Sequence, residues 1–186
     1  MIDNPVLITG FSGRALAQSA LRAGYTPFVF DAYGDEDTRS VAHTCLTDPS
    51  IIGSGLRVKP TVAALETLLE AAGNRPDSAP PPPVLLTSGF ESSPKLIAAL
   101  EQKFNVLSTP SKTVADVKAP DTFFSKLTEL GIPHPKTLTA ADPDARDRSV
   151  SWLSKRIGGM GGLHITRLSA ETELPPNYYA QEEISG

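Results

Sequence analysis

The sequence has little of several features that would each point to a class of protein. Only one of its 186 residues is a cysteine, Cys45, so an internal disulfide is excluded and a reducing compartment is favoured. It has 17 Lys and Arg against 21 Asp and Glu, a net charge of −4, which argues against nucleic acid as the main partner. No apolar run has the length of a membrane span, and no secretion signal opens the chain. We therefore expect a soluble, cytoplasmic protein without nucleic-acid or membrane partners.

Apolar strands and amphipathic helices alternate in the first part of the chain. The segment between Asp31 and Thr61 is predicted as a loop. The predicted strands are 6–9, 27–30, 84–87 and 106–107, and the predicted helices are 14–23, 61–72 and a third that begins at Ser93-Pro94. Such alternation favours an α/β fold, so we predict a Rossmann-like parallel sheet over residues 1–112.

The pattern changes in residues 113–186, which are predicted to form a small α+β lobe. A helix is expected at 121–130, and Gly131 to Pro135 then force a turn. The runs 150–155, 164–168 and 178–184 read as three strands of an antiparallel sheet. A glycine-rich loop would connect the first two of these strands as a hairpin.

This loop follows Lys155 and contains Gly158, Gly159, Gly161 and Gly162. Glycine permits close approach and positive φ, so backbone N–H groups can fold over phosphates, and a lysine adds the charge that phosphates need. The spacing is not that of a P-loop. A mobile hairpin without a ligand would also explain the glycines.

Gly10, Ser12, Gly13 and Arg14 lie where the first strand turns into the first helix, and Asp31 ends the second strand. This placement is typical of a dinucleotide fingerprint, although G-x-x-G is an incomplete match. A tight turn needs glycine whatever it binds, so both interpretations stay open. The helix N-terminus would suit a carboxylate or phosphate.

Ser88, Gly89 and Glu91 follow another predicted strand, at the edge where open α/β sheets bind ligands. Glu91 would suit an amine there, or would be a solvated loop carboxylate. The acidic residues 35–37 are more typical of hydration than of a cation site. The three histidines share no ligand spacing with Cys45, so no zinc site is predicted.

Three motifs in this order resemble the ATP-grasp superfamily of carboxylate–amine ligases. Lys118, followed by the G-I-P-x-P turn at 131–135, is similar to that family's first lysine and turn. Lys155 with Gly158 to Gly162 is similar to its second lysine and phosphate loop. The run Q-E-E-I-S-G at 181–186 is similar to its hinge strand.

The resemblance implies that Lys118 and Lys155 contact ATP phosphates and that the glycine loop covers them. Gln181 and the backbone of Glu182 and Ile184 would meet the adenine edge. In the same account the first domain holds the non-nucleotide substrate through Gly10, Ser12, Gly13, Arg14, Ser88, Gly89 and Glu91. The family's homodimers are frequent, but no residue here indicates one.

The magnesium ligands of the family belong to a second lobe, expected beyond residue 186. We therefore expect this chain alone not to catalyse and to be the N-terminal part of a protein of roughly 300–400 residues. The predicted parent is an ATP-dependent ligase that activates a carboxylate as an acyl phosphate and transfers it to an amine or similar nucleophile. The alternatives are a non-catalytic nucleotide- or metabolite-binding module and an NAD-dependent oxidoreductase.

Overall fold

The computed structural model describes residues 2–73, 80–139, 146–147, 149–169 and 172–185. The chain divides into two compact units, Met1–Ser111 and Lys112–Gly186. Within the described residues, no helix combines the length and the apolar character needed to cross a membrane.

The first unit is built on a five-stranded parallel sheet in the order β3-β2-β1-β4-β5. Its strands are β1 (Pro5–Thr9), β2 (Thr26–Asp31), β3 (Thr44–Thr47), β4 (Pro83–Leu86) and β5 (Asn105–Val106). All five residues of β1 are buried, as expected for the central strand of a sheet with both faces covered. The sheet and its helices confirm the predicted Rossmann-like α/β class.

The helices of this unit are α1 (Arg14–Arg22), α2 (Glu36–Val41), α3 (Ile51–Ser54), α4 (Val58–Ala71) and α5 (Pro94–Glu101). Ala17 and Ala20 of α1 pack on Val6, Ile8 and Val29, so α1 covers one face of the sheet. Helices α4 and α5 contact each other, and α4 also contacts β1, β2 and β3. Because parallel strands are joined by right-handed crossovers, the reversal of strand order predicts that these two helices cover the face opposite α1.

The predicted loop between Asp31 and Thr61 is wrong, because it contains α2, β3, α3 and the start of α4. These elements are short, and β3 is only partly buried, so their hydrophobic periodicity is weak. Asp35 of the acidic cluster is the N-cap of α2 and accepts hydrogen bonds from the backbone N–H and the hydroxyl of Thr38. Its carboxylate thus stabilises the helix start.

The second unit contains α6 (Ser111–Lys118), α7 (Pro120–Glu129) and a four-stranded antiparallel sheet in the order β6-β9-β7-β8. The strands are β6 (Thr137–Leu138), β7 (Trp152–Arg156), β8 (Thr166–Leu168) and β9 (Tyr178–Glu182). Trp152 and Ala180 are the centre of its apolar core. The hairpin from β7 to β8 confirms the predicted antiparallel pairing around the glycine loop.

Candidate functional site

The strand order of the first unit reverses between β1 and β4, which are neighbours in the sheet. The loops after these two strands therefore flank the crevice where open α/β sheets bind ligands. The two loops are joined directly, since the Phe11 backbone N–H donates to the Ser88 carbonyl oxygen at 2.8 Å. The structure thus brings the two predicted substrate segments, 10–14 and 88–91, to one edge of the sheet.

Gly10 and Gly13 are glycines because the chain passes too close to other atoms for a side chain. A Cβ at Gly10 would lie 1.8 Å from the Thr87 hydroxyl oxygen and 2.8 Å from the Ser88 carbonyl oxygen. A Cβ at Gly13 would lie 2.5 Å from a methyl group of Val29. The close approach of this turn to β2 and to the loop after β4 therefore explains both glycines without a bound dinucleotide.

The Asp31 carboxylate is fully buried and already engaged. It accepts hydrogen bonds from the backbone N–H groups of Gly13 at 2.8 Å, Tyr33 at 3.0 Å and Gly34 at 2.7 Å. A dinucleotide site needs this acidic side chain to face the ribose hydroxyls. The geometry instead makes Asp31 a structural clamp, and this argues against the oxidoreductase alternative.

The charged side chains at this edge are held by their own surroundings. The Arg14 guanidinium lies 3.4 Å from the Asp37 carboxylate and 3.8 Å from that of Asp35, and half of its side chain is exposed. The Glu91 carboxylate accepts a hydrogen bond from the Gly89 N–H at 2.7 Å. Ser12, partly buried, lies in the turn before α1. A ligand's amine or anion would therefore have to compete with contacts that already exist.

In the second unit, the glycine loop takes backbone conformations that favour glycine. Gly158, Gly161 and Gly162 have φ values of +72°, +70° and +77°. A Cβ at any of these three would meet no atom within 4 Å, so backbone conformation and not crowding selects glycine there. Gly159 differs, since a Cβ would lie 2.3 Å from the His164 ring. Among the described residues, the N–H groups of 160–162 donate no hydrogen bond and remain available.

Lys118, the last residue of α6, contacts this loop. Its ammonium group donates a hydrogen bond to the Gly159 carbonyl oxygen at 3.0 Å, across 41 residues of sequence. The first predicted phosphate-binding lysine and the predicted phosphate loop are therefore together in the fold.

Lys155 on β7 is joined to the predicted hinge strand β9. Its ammonium group donates to the Gln181 side-chain oxygen at 2.5 Å, and the Gln181 amide nitrogen donates to the Thr137 hydroxyl at 3.1 Å. Gln181 is 8% exposed. The register pairs Lys155 with Tyr179 and Gln181 with Thr137, so these side chains share one face of the sheet.

At the end of the predicted hinge strand, the backbone N–H groups of residues 182 and 183 are engaged and, within the described residues, that of Ile184 is free. The Glu182 N–H donates to the Lys136 carbonyl oxygen at 2.9 Å, and the Glu182 carboxylate accepts from the Lys136 N–H at 3.3 Å. Ile184, 62% exposed, makes no hydrogen bond within the described part of the chain. Gly186, the last residue of the predicted hinge motif, lies outside the described residues.

The described residues do not fit a metal ion by themselves. No group of three or more His, Cys, Asp or Glu side chains among them is placed to hold one. The magnesium predicted from the resemblance therefore has no counterpart in the described part of this chain, and we assign no step to it.

Sequence patterns did not reveal Thr137 or the hydroxyls of Thr9 and Thr87. Thr137 lies on a strand of two residues, and only its pairing with Gln181, 44 positions away, gives it a role. The hydroxyls of Thr9 and Thr87, at the ends of β1 and β4, are buried and have no partner among the described residues. No spacing in the sequence marks any of them.

No model of a protein family matches the sequence, and no curated protein matches it. Solved structures do match. N5-carboxyaminoimidazole synthetase from Staphylococcus aureus has a TM-score of 0.66 at 16% identity, over 98% of this chain and 47% of that one. Its complex with ADP gives 0.64 at 19%, over 98% and 48%. L-amino acid ligase from Bacillus licheniformis gives 0.64 at 15%, over 99% and 45%.

This chain thus spans about half the length of these matched structures. At identities of 19% and below, the likeness establishes the fold alone. The chain has the fold of the N-terminal part of ATP-grasp enzymes, a Rossmann-like part followed by a small lobe with an antiparallel sheet.

Proposed function

We propose that the chain is the N-terminal part of an ATP-dependent ligase and that its second unit binds the nucleotide. The observation that carries the proposal is the placement of two lysines around one glycine loop and one hinge strand. Lys118 contacts the loop at Gly159, and Lys155 contacts the hinge strand at Gln181. Two ammonium groups and a set of free N–H groups are what a polyphosphate requires. A structural neighbour complexed with ADP supports this assignment.

In the proposed reaction, ATP phosphorylates a substrate carboxylate to an acyl phosphate, and an amine or similar nucleophile then displaces the phosphate. Lys118 and Lys155 would position the phosphates and offset their negative charge. The free backbone N–H group of Ile184 would meet the adenine ring, and the glycine loop would exclude water from the phosphates. The name of one neighbour, an amino acid ligase, supports this reaction class.

The first unit would hold the non-nucleotide substrate at the crevice between β1 and β4. The support is topological, because the reversal of strand order brings loops 10–14 and 88–91 together there. The exposed guanidinium of Arg14 suits a carboxylate or phosphate, and Glu91 suits an amine. Release of Glu91 from the Gly89 N–H would accompany amine binding.

Nucleotide binding is tested by titrating the chain with ATP in a calorimeter. Lys155→Ala should weaken ATP binding by at least about tenfold, the effect of losing a charged hydrogen bond, while the circular dichroism spectrum is retained. Lys112→Ala is the matched control, because the Lys112 side chain is 84% exposed and its ion pair is with Asp116 on the same helix. Equal affinity of Lys155→Ala and the parent chain would refute the assignment.

The second candidate, a non-catalytic binding module, predicts the same ATP affinity but no chemistry. The intact mass of the protein from its own cell separates the two, compared with 19.7 kDa for this chain. A mass near twice that value favours the ligase. In that protein, hydroxylamine added with ATP and candidate acids should trap an acyl phosphate as a hydroxamate, and failure to trap one with any acid favours the module.

A further inference from the structure

We propose that Gln181 is a positioning residue that holds the Lys155 ammonium group for the phosphates and does not recognise the adenine ring. This inference rests on the proposed nucleotide site. The family resemblance implies instead that Gln181 meets the adenine edge. It follows from the direction in which hydrogen bonds run across strands β7, β9 and β6.

The direction is set at one end by Thr137. Its hydroxyl donates its single proton to the Pro135 carbonyl oxygen at 3.0 Å. Toward Gln181 the hydroxyl can therefore only accept, and it receives the amide N–H at 3.1 Å. The Gln181 amide nitrogen is thereby directed to β6, and its oxygen is directed to β7.

The other end is set independently by Lys155. An ammonium group has three donors and no acceptor, so it requires the oxygen of the amide and is repelled by the nitrogen. The Lys155 nitrogen lies 2.5 Å from that oxygen. Thr137 and Lys155 thus select the same orientation of the Gln181 amide. Among the described residues, the amide oxygen and nitrogen have no other side-chain hydrogen-bond partner.

The acceptor that holds Lys155 is neutral. A carboxylate at this place would neutralise the lysine and compete with the phosphates, whereas an amide oxygen orients the ammonium group and leaves its full charge available. Gln181 is 8% exposed, so its amide offers little surface to an adenine ring. Holding one of three ammonium protons leaves two for phosphate oxygens.

The first test needs no ligand. The ammonium resonance of Lys155 is followed by 15N NMR in the parent chain and in Gln181→Leu and Thr137→Val, and Lys155→Arg identifies the signal. We expect a slowly exchanging ammonium group in the parent and fast exchange in both variants. Thr166→Val, which changes an exposed threonine on the same sheet, should leave the signal unchanged. If the parent chain shows no slowly exchanging signal, or if both variants retain it, the proposed orientation of Lys155 by Gln181 and Thr137 is overturned.

The second test compares ligands with different numbers of phosphates. Gln181→Leu should lower affinity for ATP and ADP by about tenfold and Gln181→Glu by more, while adenosine binding stays constant. Gln102→Glu, on the exposed end of α5, is the charge-matched control. Equal losses for adenosine and ATP, or no loss for ATP, would overturn the proposal.

The two failures are distinguishable. If the parent chain binds no nucleotide but shows the protected ammonium signal, the proposed function fails and with it the phosphate role of Lys155, while the contact itself stands. If the parent binds ATP and the variants lose adenosine equally, only the role of Gln181 is wrong.

Discussion

The Lys118 ammonium group lies 3.0 Å from the Gly159 carbonyl oxygen, although 41 residues separate the two in sequence. The contact fixes the end of α6 against the middle of the glycine loop. Because the acceptor is a neutral carbonyl, the positive charge of the lysine is not neutralised and remains available to a ligand.

Removal of this contact should loosen the loop and weaken nucleotide binding. In Lys118→Ala we expect ATP affinity to fall by about tenfold or more, since the charged hydrogen bond to the loop and the proposed phosphate contact are lost together. Calorimetric titration measures the affinity, and backbone NMR relaxation of residues 157–163 reports the motion. Lys112→Ala, at the other end of α6, is the control. Unchanged relaxation would show that the contact does not hold the loop.

The close approach at Gly10 should make this position intolerant of any side chain. In Gly10→Ala the new methyl group would meet both the Thr87 hydroxyl and the Ser88 backbone oxygen. We expect the free energy of unfolding to fall by about 2 kcal/mol or more, as measured by urea denaturation. Gly53→Ala is the control, because its Cβ would meet no atom within 4 Å. A fully stable Gly10→Ala would contradict the described geometry.

The buried Asp31 carboxylate should contribute to the free energy of unfolding and should not bind a dinucleotide. Asp31→Asn replaces one acceptor oxygen by a donor, so one of its three N–H contacts must break. We expect a loss of about 2 kcal/mol in urea unfolding. Asp37→Asn, on the exposed surface, should change stability little. NAD titration should give no binding to the parent chain, and measurable NAD binding that Asp31→Asn abolishes would restore the oxidoreductase alternative.

Protonation of Asp35 should contribute to the loss of folding stability at acid pH. The hydrogen bonds from Thr38, and to a lesser degree the charge of Arg14, hold the pKa of Asp35 below its ordinary value. A carboxyl group with a lowered pKa in the folded state stabilises the protein above the unfolded pKa, and that stabilisation is lost as the pH falls through the folded pKa. Stability should therefore decline below roughly pH 4.

Asp35→Asn is the variant that isolates this effect, because asparagine caps a helix without titrating. Its stability should fall less steeply with acid than that of the parent when urea unfolding is repeated from pH 6 to pH 3. Parallel profiles for the two proteins would show that Asp35 does not contribute to the pH dependence.

Local sequence patterns predicted the helices and strands that have strong hydrophobic periodicity. Several of the short elements depend on long-range pairing and were not predicted. The spacing around Leu65 and Leu68 located α4, and the glycines after Lys155 located the β7–β8 hairpin. The short elements α2 and β3 were missed, because six and four residues carry too little periodicity.

The candidate site shows the same division. The sequence indicated Lys118, Lys155 and the glycine loop, because glycine content and charge are local properties. It did not indicate that Gln181 holds Lys155 or that Thr137 orients Gln181, because both facts arise from the register of three strands. Nor did it indicate that the Asp31 carboxylate accepts three backbone N–H groups, which depends on where the turn before α1 meets the loop after β2.

The loops at the proposed substrate edge, after β1, β2, β3 and β4, are joined by hydrogen bonds, most of them to Asp31. Its carboxylate joins the turn before α1 to the loop after β2, its carbonyl oxygen accepts the Asp48 N–H after β3, and Phe11 links to Ser88 after β4. A surface cross-linked in this way is preorganised, so a ligand that docks there loses little loop entropy to ordering. Selectivity at this edge should therefore depend on rigid shape, and a substrate of the wrong shape would be rejected rather than accommodated.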